Sequence, residues 1–312
     1  MTRQAAGAGG SDWVREVFPT AELARLPRLL PVGSARRRIA KRAAGRLLDA
    51  ALDARQGLMR TSRTLDRAAA EASPRPVLVL GVYQPDGVGD MAAAVASLNA
   101  SQHVVRFALG ATGDAPSGLA LQTLAQEMRG GKFANLNRLA EAAAPHNDDW
   151  VLIIDDDIAL PPRFLDRMIG VAEWIGLDLC QPAQSWGSDA AWRVTRRRAD
   201  ALRETRFVES GPVILMRSEV FEVVSPFSEE GMGWGMCLHW AALARREGWK
   251  LGIVDALPVR HERRGTASTY PEAEALEAAR RFLDDHEHIG FDEANEVVSR
   301  HRRLPESADA MP

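Results

Sequence analysis

Residues 149–168 read DWVLIIDDDIALPPRFLDRM. Four apolar residues, Val151 to Ile154, run directly into three aspartates, Asp155, Asp156 and Asp157. A short apolar run bounded by charge predicts a buried strand. A helix-like stretch follows, and Pro161 and Pro162 fall where a helix start tolerates a missing N–H. Open α/β sheets bind their ligands at the carboxyl ends of strands, which is where this order of elements puts the carboxylates. Asp155 and Asp157 are two apart, so an extended backbone points them to one side and Asp156 to the other. Carboxylates this close repel unless a cation or hydrogen bonds compensate. Mn2+ or Mg2+ is the natural compensation, because such ions take one or two carboxylates together with substrate phosphates.

Outward from this stretch the alternation of strand and helix continues. VLVLGVY (77–83) and HVVRFALG (103–110) read as strands around a helix from Met91 to Ala100. KFANLNRLAEAAA (132–144) reads as a helix, WVLIID (150–155) as a strand, 161–176 as a helix and LDLCQPA as a short strand. Beyond Trp186 the pattern loosens. FVESGPVILMR (207–217) reads as a strand before the short helix SEVFEVV, 231–250 as a helix, and LGIVDALPVRH (251–261) as a strand ending in His261. The whole predicts an α/β sandwich on a mainly parallel sheet. SPRP (73–76) marks a boundary. The expected organisation is a basic helical extension over 1–74, the α/β domain over 75–265 and a helical tail over 266–312, its second helix starting at DEANEVVSRHRRL.

The extension is distinct in charge. Residues 1–75 hold 15 Lys and Arg against 7 Asp and Glu, although the chain as a whole carries −3. That balance argues against a general nucleic-acid binder. In 35–60 the residues Ile39, Ala43, Leu47 and Ala51, with Leu48 and Leu52 beside them, share one helical face. Two readings fit: a basic amphipathic helix on an anionic membrane, or a helix docked on the domain. Two cysteines, Cys180 and Cys237, make no disulfide framework. No apolar run is long enough to span a bilayer, and MTRQAAGAGGSDW lacks the apolar core of a secretory signal. The expected location is the cytoplasm, with peripheral contact at the inner face of the membrane left open.

Taken in order, several stretches resemble a family 2-type glycosyltransferase of the GT-A fold, over 77–261. GGKFANLNRL is similar to the Lys-x4-Asn stretch before the acidic motif of such enzymes, with Lys132 and Asn137 matching. DDDIALPPRFL resembles their DxD motif, and RFVESGPVILMRSEVFEVVSPF their acceptor-side strand. GMGWGMCLHWAALARREGWKLGIVDALPVRH resembles the helix–strand unit that ends in a metal-binding histidine, and its Gly-Trp-Gly element is similar to a bacterial subgroup. The resemblance implies a Rossmann-like α/β/α sandwich and a non-processive, inverting transferase that uses a UDP-, GDP- or dTDP-sugar and an unknown sugar or lipid-linked acceptor. Asp155 or Asp157, with His261, would hold Mn2+ or Mg2+, Asp157 being the more direct ligand. Lys132 would meet a phosphate, Asn137 would belong to the nucleotide side, Asp156 would reach the ribose, and Tyr83 and Gln84 would flank the base. Trp234 would form a platform for the acceptor.

The sequence departs from the family at the catalytic base. The position two residues after Gly-Trp-Gly, normally an aspartate, is Cys237, and a thiol is a poor base at neutral pH. Glu230, Glu209 and Glu229 are the nearest carboxylates in sequence. Two other readings stay open: a GT-A module that binds a nucleotide sugar without turning it over, and a phosphohydrolase with Asp155 as nucleophile.

Overall fold

The structure, a computed structural model, describes residues 35–145, 148–188, 190–261 and 272–305. Two helices come first, α1 (Ala35–Leu58) and α2 (Thr61–Glu71). The next elements are β1 (Pro76–Tyr83), α3 (Val88–Asn99), β2 (Val104–Ala111), β3 (Thr123–Ala125), α4 (Lys132–Ala143), β4 (Trp150–Ile154), β5 (Ile158–Ala159) and α5 (Phe164–Ile175). Then come β6 (Leu179–Gln184), β7 (Leu202–Thr205), β8 (Val213–Arg217), α6 (Ser218–Val224), α7 (Met236–Glu247) and β9 (Leu251–His261). The last are α8 (Glu272–Asp285), α9 (Phe291–Ala294) and β10 (Val297–His301).

The strands form one sheet in the order β10-β7-β9-β6-β8-β4-β1-β2-β3, with the two-residue β5 paired to β9. β1 pairs parallel with β2 and β4, and β2 parallel with β3, as βαβ crossovers require. β8 enters between β4 and β6 antiparallel to both, and β6 runs parallel to β9. Helices cover both faces. One core packs α4 and α7 against the sheet, and the other packs α2, α3 and α5. β4, the centre of the sequence argument, is buried along its whole length, so its hydrophobic run is continuous and not alternating.

Three features were not legible as elements. β5 is too short to register as a periodicity, yet its pairing of Ile158 with His261 ties the acidic turn to the end of β9. Within the expected helical tail, Val297–His301 forms a strand on β7 instead of a helix. Its residues alternate between half-buried and exposed, which is the period of a strand. The strand expected over 207–217 starts only at Val213, and Leu202–Thr205 makes a separate one.

The extension packs on the domain. α2 buries Leu65, Ala68 and Ala69 against α5. The backbones approach so closely that a Cβ on Gly170 would lie 2.5 Å from the Ala68 carbonyl carbon. Among the described residues α1 turns a polar edge inward. Asp49 accepts from the backbone N–H groups of Trp186 (3.0 Å) and Gly187 (2.9 Å). Buried Arg197 donates to Asp53 (2.7 Å) and Gln56 (2.9 Å). Of the apolar face expected from the sequence, Leu52 turns toward the domain, while Ala43, Leu47, Leu48 and Ala51 stay exposed and Ile39 lies outside the described side chains. No helix among the described residues is long and apolar enough to cross a membrane.

Candidate active site

β4 delivers the three aspartates to the carboxyl end of the parallel half, and their side chains diverge. The Asp155 N–H donates to the Pro212 carbonyl (2.9 Å), which brings the Glu209–Pro212 loop over the end of the strand. Asp155 Oδ1 lies 2.5 Å from Lys132 Nζ, at the start of α4. Gly211 borders both groups: a Cβ there would sit 3.2 Å from Lys132 Nζ and 3.5 Å from Asp155 Oδ2. Asp157, in the turn, is buried and faces His261, with Oδ1 3.0 Å from Nε2. The β5–β9 pairing fixes that meeting. Burial opposes protonation of His261, but the hydrogen bond and charge of Asp157, helped by Asp155 and Glu209, outweigh it and raise its pKa.

Asp156 points the other way. It is buried, and its Oδ2 accepts from the Gln84 N–H (2.8 Å). A Cβ on Gly87 would meet that oxygen at 2.1 Å, so the loop after β1 closes directly on the carboxylate. Asp156 thus holds the loop, and this oxygen is not open to a ribose as the resemblance implied.

Glu209 is the perturbed carboxylate. It is partly buried between β6 and α7, and its pKa is pushed up to about 7. Desolvation is the main cause, opposed by Gln184, His261 and Thr195. Gln184 Nε2 donates to Oε2 at 2.7 Å, and the Thr195 hydroxyl is 3.3 Å from the same oxygen. Oε1 has no hydrogen-bond partner among the described residues. Gln181 Oε1 accepts from the Glu209 N–H (2.5 Å), while its Nε2 is buried and unpartnered among the described residues. A base with a free oxygen, a pKa near neutrality and two positioning contacts has the chemistry of a general base.

The other candidates fall out differently. Cys237 is buried beside Glu209, and burial with that neighbouring charge pushes its thiol up to about 12, so it stays protonated at neutral pH. Glu230 is exposed on the loop before α7 and turns toward Arg281 (3.9 Å), engaging none of the site residues among those described. Tyr83 is 1% exposed, and its hydroxyl bonds Thr123 (2.7 Å), so the ring is packed in the core and braces β3. Asn137 exchanges two 2.8 Å bonds with the Phe227 backbone and reaches Glu229 at 3.2 Å, and so pins the loop before α7. Trp234 is half-buried in the turn before α7, whereas Trp240 is core. The glycines around Trp234 are demanded by packing. Gly233 has φ +75°, and a Cβ there would overlap the Phe133 ring at 2.0 Å.

Sequence reasoning missed the supports of Glu209. Gln181 and Gln184 lie in a fully buried strand, and amides inside an apolar run are the signal that was available. Buried Arg203 forms a bidentate pair with Asp255 (2.7 and 3.0 Å) and donates to the carbonyls of Val194 (2.7 Å) and Arg196 (3.0 Å), fixing both neighbours of Thr195. That assembly spans three separate stretches of chain and leaves no local pattern.

The donor set of Asp155, Asp157 and His261 suits a divalent cation by chemistry: two carboxylate oxygens and an imidazole nitrogen. The carboxylates are already compensated in part, Asp155 by the Lys132 ammonium and Asp157 by its contact with His261 Nε2. No group of three such side chains among the described residues is drawn together tightly enough to enclose an ion as it stands.

No protein-family model matches the chain, and no curated protein matches it in sequence. Solved structures do resemble it. GalNAc-T7 with UDP, GalNAc and Mn2+ superposes with a TM-score of 0.50 at 12% identity, over 69% of this chain and 48% of that one. The mannosyltransferase PcManGT from Pyrobaculum calidifontis, in complex with GDP-Man and Mn2+, gives 0.49 at 14% identity, over 82% and 79%. The fold is of the GT-A type. At these identities the likeness fixes the fold alone, and the chain spans about half the length of GalNAc-T7. The loop after β1, the acidic turn after β4 and the end of β9 share one end of the sheet, and they hold Gln84, Asp155–Asp157 and His261.

Proposed function

We propose that the chain is a metal-dependent, non-processive glycosyltransferase that moves one sugar from a UDP-, GDP- or dTDP-sugar to an acceptor hydroxyl with inversion. The observation that carries this reading is the grouping of Asp155, Asp157 and His261 near Glu209, whose pKa burial raises, at the ligand-binding end of a GT-A sheet. The UDP, GalNAc and Mn2+ held by GalNAc-T7 support a nucleotide sugar and a divalent ion. A cation held by Asp157 and His261, with Asp155 alongside, would supply positive charge against the departing diphosphate. Lys132 would turn from Asp155 to a phosphate oxygen. Glu209 would take the acceptor proton on its free Oε1 while the acceptor oxygen bonds the anomeric carbon and the sugar–diphosphate bond breaks. Gln184 and Thr195 keep Glu209 oriented for that transfer.

The test is calorimetric titration of UDP, GDP and dTDP, each with and without Mn2+, into wild type and Asp157→Ala. The reading expects one nucleotide to bind in an Mn2+-dependent way and to lose its binding in the variant. A folded protein that binds none of the three overturns it. A second reading, a module that binds without turnover, is favoured by Cys237, a thiol held protonated by burial at the position where the family it resembles would place its base. Mn2+-dependent binding without transfer, together with activity gained in Cys237→Asp, would select it. The phosphohydrolase alternative has no support in a GT-A topology and is set aside.

A further inference from the structure

The two groups that hold Glu209 are themselves held from outside the α/β domain, by α1. Gln184 and Thr195, whose side chains meet Glu209 Oε2, lie on segments that pair main chain to main chain. The Gln184 N–H donates to the Thr195 carbonyl (2.9 Å), and the Arg197 N–H to the Gln184 carbonyl (3.0 Å). Two residues beyond Gln184 and two beyond Thr195, each segment meets α1. Asp49 accepts from the N–H groups of Trp186 and Gly187, while Asp53 and Gln56 accept from the Arg197 guanidinium. The Trp186 indole N–H donates to the Arg197 carbonyl (2.7 Å), which ties the two grips together. Gly45, Asp49, Asp53 and Gln56 follow at helical spacing, so one stripe of one helix supplies the whole clasp. Gly45 sets how near the helix stands, since a Cβ there would lie 2.3 Å from the Trp186 carbonyl oxygen.

The rest of the extension docks without this connection. α2 seats itself by burying Leu65, Ala68 and Ala69, and its Asp66 binds Arg163 (2.7 Å) and Arg167 (2.9 Å). Among the described residues neither arginine bonds Gln184, Thr195 or Glu209. Carboxylates on main-chain amides and on a guanidinium are directional, so the α1 contacts fix position where apolar packing alone would tolerate sliding. We infer that Asp49 and Asp53 are positioning residues for Glu209. α1 holds the Gln184 and Arg197 segments in register, and these in turn keep the Glu209 carboxylate aimed. The role of Glu209 rests on the transferase reading; the clasp does not.

The experiment compares the full chain as wild type, Asp49→Ala, Asp49→Asn and Asp66→Ala. Asp66→Ala is the control, because it strips a docking carboxylate that has no link to Glu209. Amide hydrogen exchange at Gln184 and Arg197 reads the clasp without any activity. Calorimetry reads nucleotide affinity, and release of the nucleoside diphosphate from the matching nucleotide sugar reads kcat with water as acceptor. In that step the water oxygen bonds the anomeric carbon, its proton passes to Glu209 and the diphosphate leaves with the bonding pair. Asp49→Ala is expected to speed exchange at both amides and to lower kcat about tenfold, with nucleotide affinity unchanged. Asp49→Asn keeps one acceptor oxygen and should fall between it and wild type. Asp66→Ala should match wild type in exchange and kcat. Unchanged exchange in Asp49→Ala, a kcat loss matched by an affinity loss, or an equal effect in Asp66→Ala overturns the proposal. A wild type that binds no nucleotide sinks the transferase reading alone. Faster exchange at the two amides in Asp49→Ala would then still support the clasp, and unchanged exchange would still overturn it.

Discussion

At the carboxyl ends of the strands the two halves of the sheet handle polar groups in opposite ways. There, on the β1–β2–β3 side, they are closed on themselves: Tyr83 on Thr123, Asp156 on the Gln84 amide. Asn137, whose helix packs on that half, is closed on Phe227. On the β6–β9 side Glu209 keeps one oxygen open, His261 shares a proton with Asp157, and the Gln181 amide is buried without a partner among the described residues. The difference is one of assembly. The first half is made by local βαβ units whose loops fall back on their own strands, while the second gathers β6, the 194–197 segment, the Glu209 loop and α7 around one point. Polar groups brought together from distant stretches are harder to satisfy completely, and incomplete satisfaction is what reactive chemistry uses.

The comparison can be broken at its strongest point by Asp157→Ala. It should lower kcat/KM by about a thousandfold or more, since it removes a cation ligand and the partner of His261. Steady-state kinetics with the nucleotide sugar identified by calorimetry measures this. Glu209→Gln should follow, cutting kcat by about 100- to 1,000-fold while nucleotide affinity stays near wild type. A matching loss of nucleotide affinity would make Glu209 a donor-side residue instead.

Glu209 also sharpens the comparison through pH. The carboxylate is the active form, so kcat should rise with pH through about 7 and flatten in Glu209→Gln. Stability should move oppositely. The folded pKa lies above the ordinary carboxylate value, so the native state holds a proton that the unfolded chain has already released. That stabilisation is complete below the ordinary carboxylate range and is lost as pH rises through about 7. Thermal melts of wild type and Glu209→Gln across this window should therefore converge at acid pH and part as it rises, with wild type losing more.

The closed half should respond in stability alone. Asn137→Ala should cost about 1–3 kcal/mol, because it leaves the Phe227 backbone without its partner, and nucleotide affinity should barely change. Tyr83→Phe should cost about 1 kcal/mol and nothing in binding. A nucleotide-affinity loss in Tyr83→Phe greater than its stability loss would reopen Tyr83 as a ligand contact and undo the contrast between the halves.

The fold was legible where periodicity and length agree. β1, β4, α4 and β9 stand within a residue or so of their expected bounds, because a buried strand or a helix writes its packing into adjacent residues. The acidic turn was legible for the same reason, since charge after an apolar run marks a strand end. What the sequence withheld depends on distance along the chain. That Tyr83 is core and Asn137 a clasp follows from what lies across from each, Thr123 and Phe227, not from their own neighbours. Glu209 appeared only as one of several nearby carboxylates. Its surroundings raise its pKa, whereas Glu230 is exposed and faces Arg281.

The grip of Asp49 on the Trp186–Gly187 segment has a consequence for anyone wishing to redesign this molecule. The carboxylate holds two main-chain amides, and every residue except proline offers one. Gly45 packs against the main chain of the same segment, so part of the docking reads backbone shape. The side chains add to it: the Trp186 indole N–H donates to the Arg197 carbonyl (2.7 Å), on the residue whose guanidinium grips Asp53 and Gln56. Gly187 is constrained as well, since a Cβ there would come within 3.0 Å of the Arg46 side chain. A library built on this segment, which leads on from Gln184, should therefore hold both positions fixed to keep the extension seated.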